Sequence, residues 1–430
     1  MGKIQAIRGT RDILPNELQY WQFIHKKIST LLECANYQEI RTPIFENSDL
    51  YDRSIGENTD IVNKEMYRFL DRSNRDITLR PEGTAGIVRA FIENKMSFHN
   101  KLQKLWYSGP MFRYERPQSG RQRQFHQLGI EFIGSLDAKA DSEVIYLAMS
   151  IFNNLNLTDL QLDLNSIGSL GDRSLFAANL QDYLTKYYDE LDTDSKKRLI
   201  SNPIRILDSK NANTQKILNG APKISNFLSL ESQKHFDNVC NYLQLLSIPY
   251  NINEKLVRGL DYYNDTAFEI KTLNSKGQDT VCGGGRYDTL VQQLGGAATP
   301  AVGCAIGLER LLLLAKETIM IPPKHIDFYI ATKGQKANET GMRVMHFLHK
   351  EFFTIEIDVS SNNFGKQIKQ ANRKRAIACI IIGNNEVEQG KVIIKWMLTQ
   401  QQEDMTFKQF ENKVSYLKKK IFFFKSIKSY

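Results

Sequence analysis

The chain has 430 residues, of which 57 are Lys or Arg and 48 Asp or Glu, for a net charge of +9; 41% is hydrophobic and 24% charged. That length exceeds one ordinary core and implies two or three domains of a soluble globular protein. No apolar run reaches the roughly 18–20 residues of a membrane span, and five scattered cysteines without a C-x-x-C pair argue against a zinc site or a disulfide framework. The modest basic excess permits a polyanionic partner without requiring one. The start MGKIQAIRGTRDILP has no apolar core of a signal peptide. The expectation is therefore a protein that works where it is made, with bacterial cytoplasm and plastid stroma both fitting.

In chain order, NELQYWQFIHKKISTLLECANY after Pro15 places Trp21, Ile24, Ile28 and Leu31 at helical spacing. EIRTPIF reads as a short strand ending near Pro43, ITLRP as a strand, and AGIVRAFIENK as a helix with Thr84 as its N-cap. Residues 105 to 134 read as two strands joined by an arginine-rich turn, and LQLDLNSIG as another strand. Between about 170 and 250 the texture becomes helical, in LFAANLQDYLTKYYDEL and SQKHFDNVCNYLQLL. Strands resume at YNINEKLV and TAFEIKT, followed by a glycine loop, VCGGGRYD, and a helix, GLERLLLLA. Pro322 and Pro323 mark a linker. Beyond it DFYIAT, TIEIDV, IACIIIG and KVIIKWM alternate with helical stretches, including GKQIKQANRKRA and FKQFENKVSYLKK, as in an α/β domain of about 100 residues. His346 and His349, three apart on one of these helices, read as a solvated face rather than a metal site.

The stretch RYERPQSGRQRQFHQLGIEFIG carries Arg113, Arg116, Arg121 and Arg123 ahead of a strand. Side chains alternate along a strand, so Phe125, Gln127, Gly129 and Glu131 share one face and Leu128, Ile130 and Phe132 the other. One apolar face and one face with an acceptor and an amide describe a pocket floor, with Gly129 leaving room. Arginine forks match phosphate. LVRGLDYYNDTAFE adds Arg258 beside Tyr262 and Tyr263. There is no G-x-x-x-x-G-K-[ST] and no G-x-G-x-x-G after a strand, so neither a P-loop nor a dinucleotide fold is expected.

Together these stretches resemble the histidyl branch of the class II aminoacyl-tRNA synthetase family. FRYERPQSGRQRQFHQLGIEFIG resembles motif 2, AVGCAIGLERLLLLA motif 3 and EIRTPIF the weaker motif 1; RPEGTA, VRGLDYY, GGGRYD and RGTRDILP resemble the signatures of the histidyl branch. The resemblance spans nearly the whole chain. It implies an α+β fold: a class II antiparallel sheet flanked by helices, a helical insertion, and a C-terminal α/β anticodon-binding domain, assembled as a homodimer. The expected divisions are 1–167 for the first part of the catalytic core, 168–250 for the insertion, 251–322 for the second part of the core, and 326–430 for the anticodon domain.

The resemblance also implies the chemistry. Histidine, ATP and tRNA(His) would be substrates, with Mg2+ held by phosphates and waters rather than by dedicated protein ligands. Arg113 and Arg258 would be catalytic, and Arg113, Glu115 and Arg310 would bind ATP. Glu82, Gly83, Thr84, Gln127, Glu131, Arg258, Tyr262 and Tyr263 would bind histidine. Of these, Glu82, Thr84 and Gln127 would take the α-amino group, and Glu131 with Tyr263 the imidazole. Tyr262 and Tyr287 fit either a ligand-facing or a packing role. Arg116, Gln118, Arg121 and Arg123 would meet the tRNA acceptor end, and Lys366, Lys369, Arg373 and Lys374 the anticodon arm. The rival reading is a non-catalytic relative, the regulatory subunit of ATP phosphoribosyltransferase, expected to lack the anticodon domain and parts of RGLDYY and RPEGTA. The basic aromatic tail LKKKIFFFKSIKSY departs from the family; FFF reads as the end of a core element, and no membrane partner is expected.

Overall fold

The computed structural model describes residues 2–428 apart from 57, 58, 60, 118, 119, 274–278, 322 and 361. The chain divides into two compact units, Met1–Met320 and Ile321–Tyr430. Of the expected linker, Pro322 lies outside the described residues.

The first unit is built on an eight-stranded sheet. Its order is Gln38–Glu39, Gln103–Phe112, Gln124–Ile133, Ala301–Gly307, Thr280–Arg286, Asn264–Thr272, Leu160–Ser166 and Asn251–Ile252. The outermost pairing at each end is parallel and all pairings between are antiparallel. The expected alternation holds in Gln124–Ile133. Leu128, Ile130 and Phe132 are buried, and Leu128 lies among Ile24, Ile28, Leu308 and Leu312 of the flanking helices Pro15–Cys34 and Leu308–Thr318. Burying each such aliphatic side chain contributes roughly 1.5–3 kcal/mol, which pins the strand's register and turns Gln127, Gly129 and Glu131 to the opposite face. Pro15 opens the first helix, where its missing N–H costs nothing.

Several local expectations are corrected. EIRTPIF is not one strand. Gln38–Glu39 joins the large sheet, while Phe45–Asn47 joins Asp76–Leu79 and Tyr67–Leu70 in a separate three-stranded sheet. Thr84 is the first residue of helix Thr84–Glu93 rather than its cap. Gly83 occupies the cap position, and the Glu82 carboxylate accepts from the Thr84 and Ala85 amides at 2.6 and 2.9 Å. A longer side chain reaches back over the helix start, which releases the Thr84 hydroxyl for other use. YNINEKLV forms only the two-residue strand Asn251–Ile252. The glycine loop is no loop: GGG lies within strand Thr280–Arg286, paired on both sides.

Between Leu160–Ser166 and Asn251–Ile252 the chain is helical, as expected. Its Phe176, Leu180 and Leu184 join the same buried cluster as Tyr107, Tyr263 and Tyr287, so the helical segment packs behind the polar face of the sheet.

The second unit has a five-stranded sheet in the order Ile355–Ile357, Phe328–Thr332, Ala378–Ile382, Lys391–Trp396 and Gln402–Thr406. The first two pairings are parallel and the last two antiparallel. Helix Phe364–Arg373 packs on one face through Ala371, and helix Gln335–Lys350 on the other through Ala337, Val344 and Leu348. The final strand escaped the sequence reading. The expected last helix is interrupted at Lys413, which is neither Gly nor Pro, giving Phe407–Asn412 and Val414–Lys428. Of the FFF triplet, Phe424 enters the core while Phe422 and Phe423 are exposed. Among the described residues no helix is long and apolar enough to cross a membrane.

Candidate active site

A pocket of about 360 Å³ opens on the polar face of the large sheet. Its lining comes from the segment after strand Asp76–Leu79 (Glu82, Thr84), the end of Gln103–Phe112 and the following turn (Arg113, Glu115, Arg121), strand Gln124–Ile133 (Gln127), the stretch before Asn264–Thr272 (Arg258, Tyr262, Tyr263) and helix Leu308–Thr318 (Arg310). Residues as far apart in sequence as Glu82 and Arg310 thus converge on one cavity. An apolar cleft of about 470 Å³ beside the first helix, lined by Trp21, Ile24, Ile28 and Leu312, holds no comparable set of charged groups.

One end of the pocket is lined by Glu82, Thr84, Gln127, Tyr262 and Tyr263, and directly behind Thr84 lies a buried cluster of Glu131 and Tyr287, neither of which reaches the lining. Glu131 is 1% exposed, and its two oxygens accept from Thr84 Oγ1 at 2.8 Å and, in a short hydrogen bond, from Tyr287 Oη. Burial pushes the Glu131 carboxyl up to about 8; the Tyr287 and Thr84 hydroxyls pull it down, and the nearby Glu82 charge raises it further. Burial also raises Glu82, against its two amide bonds and Arg113. Tyr263 is pushed up to about 12 by burial, with Arg258 acting in the opposite sense. Tyr262, Tyr263 and Tyr287 form a ring cluster with centroids 4.6 to 6.4 Å apart.

Glycines make this cluster possible. A Cβ on Gly129 or Gly83 would stand 2.1 or 2.2 Å from the Tyr107 ring, and one on Gly303 would stand 1.8 Å from Glu131 Oε2. The room at Gly129 is therefore taken by Tyr107, a residue the sequence reading did not single out. Its hydroxyl is buried without a hydrogen-bond partner among the described residues, as is Gln127 Oε1. Tyr107 was signalled only by its register opposite Gly129.

Arg258 crosses the middle of the pocket. Its Nη1 donates to Glu269 Oε1 at 2.6 Å, its guanidinium lies 5.6 Å from the Tyr263 ring centroid, and a Cβ on Gly283 would collide with it at 2.2 Å. Burial disfavours its charge, but Glu269 more than restores it, so its pKa is raised. Glu269 also accepts from Thr280 Oγ1 at 3.2 Å and pairs with Lys271 at 3.4 Å. The sequence reading passed it over: in NDTAFEIKT it is one of several polar residues and does not stand out as Glu131 does.

The other end is cationic. Arg113 is anchored through Nε to Pro81 O at 2.8 Å and lies over the Phe125 ring. Arg310 donates to Thr280 O in a short hydrogen bond, and its pKa is lowered, first by burial and then by the neighbouring charge of Arg121. Arg121 Nη1 lies 3.3 Å from Glu115 Oε2. Two arginines close enough to repel, facing a cavity, make a polyanion site.

Of the four residues expected at a tRNA end, the three that are described stand in different surroundings. Arg121 lines the pocket, Arg116 is exposed, and Gln118 lies outside the described residues. Arg123 stacks on Tyr114 at 3.8 Å, and its side chain packs on Gly9 of the RGTRD segment. His126, unpredicted, pairs with Glu309 at 2.9 Å and meets the Trp21 ring edge-on. Among the described residues no group of three or more His, Cys, Asp or Glu is placed to hold a metal ion.

Residues 9–311 match the model of histidyl-tRNA synthetase, and residues 327–417 that of the anticodon binding domain. The chain is 79% identical, over all of both chains, to the chloroplastic histidine–tRNA ligase of Pyropia yezoensis, and 70% identical, again over both full lengths, to that of Porphyra purpurea. Among solved structures, the apo histidyl-tRNA synthetase of S. aureus superposes with a TM-score of 0.81 at 37% identity, covering 97% of this chain and 100% of its own. The carboxylate and tyrosine end, the arginine end and the full-length matches agree: the chain belongs to the histidyl-tRNA synthetase family.

Proposed function

We propose that this pocket carries out histidine–tRNA ligation in two steps, and that its two ends divide the work. The observation that carries the reading is the convergence in one cavity of Glu82, Thr84, Gln127, Tyr262 and Tyr263 with Arg113, Arg121, Arg258 and Arg310, backed by the buried Glu131–Tyr287 pair behind Thr84. In the first step the histidine carboxylate attacks the α-phosphate of ATP and pyrophosphate leaves. The Glu82, Thr84 and Gln127 side chains hold the α-amino group, above Gly83. Glu131 and Tyr263 pair with the imidazole nitrogens, and Tyr262 and Tyr287 pack the ring. Arg258, between the two ends, bridges the carboxylate and α-phosphate, and Arg113 stabilises charge on the α-phosphate. Arg310 and Arg121 take the outer phosphates, and Glu115 faces the adenine. In the second step the terminal ribose hydroxyl of tRNA(His) attacks the activated carbonyl and AMP leaves. Arg116 and Gln118 on the motif 2 turn meet the acceptor end; Arg123, stacked on Tyr114, orders that turn instead.

Mg2+ fits as an ion carried in by ATP. The carboxylates around the pocket are engaged, Glu115 with Arg121, Glu269 with Arg258 and Glu309 with His126, so phosphates and waters would be its ligands. When bound, it would supply countercharge to the departing pyrophosphate.

A homodimer is supported by exposed Ile44, Phe45, Phe69 and Leu70, which cluster on and beside the three-stranded sheet that includes the end of motif 1. The chloroplastic relatives favour the plastid stroma. The regulatory-subunit reading is not favoured: the catalytic signatures are complete, and the second unit is present. The functional divisions remain 1–167, 168–250, 251–322 and 326–430. The test is ATP–pyrophosphate exchange without tRNA, with each of the twenty amino acids in turn. Exchange with histidine alone supports the reading, and exchange with none overturns it.

A further inference from the structure

The second unit holds a groove of about 550 Å³ between strand Ile355–Ile357 and helix Phe364–Arg373. Its two walls have opposite charge. Lys366, Lys369 and Arg373 stand on the helix wall at spacings of three and four, exposed, with no carboxylate partner among the described residues. Glu356 and Asp358 stand on the strand wall. That strand is the sheet's outer edge, pairing only with Phe328–Thr332.

A polyanion alone explains the helix wall but not the strand wall, because two carboxylates repel phosphate. The ligand must present hydrogen-bond donors to the strand and negative charge to the helix. A single-stranded RNA does so when a base turns its Watson–Crick edge inward and leaves its phosphates outside. The two carboxylates are not equivalent. Asp358 is already committed: Oδ1 accepts from Ser360 N at 2.8 Å and Ser360 Oγ at 2.6 Å, and Oδ2 from Tyr329 Oη at 2.6 Å. These bonds tie it to Ser360 and Tyr329. Among the described residues the Glu356 side chain has one ion-pair partner, Lys374 Nζ at 3.1 Å from Oε1, and it is 38% exposed.

A carboxylate offers two acceptors side by side. Guanine alone among the standard bases offers two adjacent donors, N1–H and the 2-amino group, on its pairing edge. Uracil has one N–H between two carbonyls that would repel Glu356; adenine and cytosine each set an acceptor nitrogen beside the amino group. The anticodon complementary to the histidine codons carries guanine at its first and third positions. We infer that Glu356 is a specificity-determining residue for tRNA, pairing through both carboxylate oxygens with one of these guanines while Lys366, Lys369 and Arg373 hold the flanking phosphates. The inference rests on the reading of this groove as the anticodon site.

The test is steady-state histidylation by the full-length protein, using transcripts with the normal anticodon and with adenine replacing guanine at the first or the third position. Histidine-dependent ATP–pyrophosphate exchange, which needs no tRNA, reports whether each variant is folded. Glu356→Gln should lower kcat/KM on the normal transcript by about 10- to 100-fold, chiefly through KM. On one of the two substituted transcripts, wild type and variant should converge to within about twofold, since the contact is already lost. An equal loss on all three transcripts, or no loss on the normal one, overturns the guanine assignment. The paired substitution Lys366→Ala with Lys369→Ala separates the two levels. A raised KM on every transcript keeps the groove as an RNA site whatever Glu356 does, and an unchanged KM removes the anticodon reading itself.

Discussion

The two ends of the catalytic pocket are built on different terms. At the carboxylate end, Glu131 is sealed at 1% exposure between the hydroxyls of Thr84 and Tyr287, and glycines at 83, 129 and 303 leave space only for neighbours already there. At the cationic end, Arg121 has 45% side-chain exposure and faces Arg310. The first end is assembled before any ligand arrives; the second is a field waiting for countercharge. On the proposed reading, selectivity belongs to the rigid end, where a wrong ring would leave buried groups unpaired, and turnover to the charged end, where stabilisation would appear as pyrophosphate departs.

Substitutions at either end sharpen this contrast. The largest effect is expected from Glu131→Ala, which should lower kcat/KM for histidine in pyrophosphate exchange by on the order of 10³ or more without unfolding the chain, as checked by circular dichroism. Arg258→Ala should follow, with kcat lowered about 10²- to 10³-fold and KM for ATP changed far less. Equal changes in both would place its contact in the ground state. Arg121→Ala should raise KM for ATP by about 5- to 20-fold and leave KM for histidine alone. Tyr287→Phe removes one donor to Glu131 and should cost about 1 kcal/mol, read as roughly a fivefold loss in kcat/KM for histidine.

A pH effect distinguishes the ends without a change at the cationic one. Glu131 binds its proton more tightly in the folded protein, with a pKa of about 8. Between the ordinary carboxyl range and that value the folded state holds more protons than the unfolded state, so this group's contribution to stability falls as pH rises through the interval and is fully lost above it. Urea titrations of wild type and Glu131→Gln between pH 5 and 9 should show a downward slope in the first that is shallower in the second. Parallel slopes would assign the pH dependence elsewhere.

Much of this was legible in the sequence because it rests on local chemistry. Alternation in QFHQLGIEFI separated Leu128, Ile130 and Phe132 from Gln127 and Glu131, and the structure keeps that separation. What failed depended on distant residues. Three consecutive glycines suggest a turn when read alone; they form a central strand because Arg258 and Phe268 need the volume that Cβ atoms would fill. Thr84 has the chemistry of an N-cap, but the helix already includes it, Glu82 satisfies the first two amides, and the Thr84 hydroxyl turns instead to Glu131, 47 residues away. Tyr107 carried no motif, since its place is set by Gly83 and Gly129 on either side. Arg123 was grouped with its neighbours by sequence, whereas Tyr114 and Gly9 draw it off.

The most direct test of the division between the ends compares histidine with β-(2-thienyl)alanine, whose ring is similar in size but has no N–H, in ATP–pyrophosphate exchange by wild type and Glu131→Gln. The account predicts that wild type prefers histidine by about 10⁴-fold or more, and that the substitution shrinks this preference by at least about 100-fold while leaving KM for ATP unchanged. A preference that survives intact in the variant would contradict it, and selectivity would have to be sought outside the Glu131 cluster.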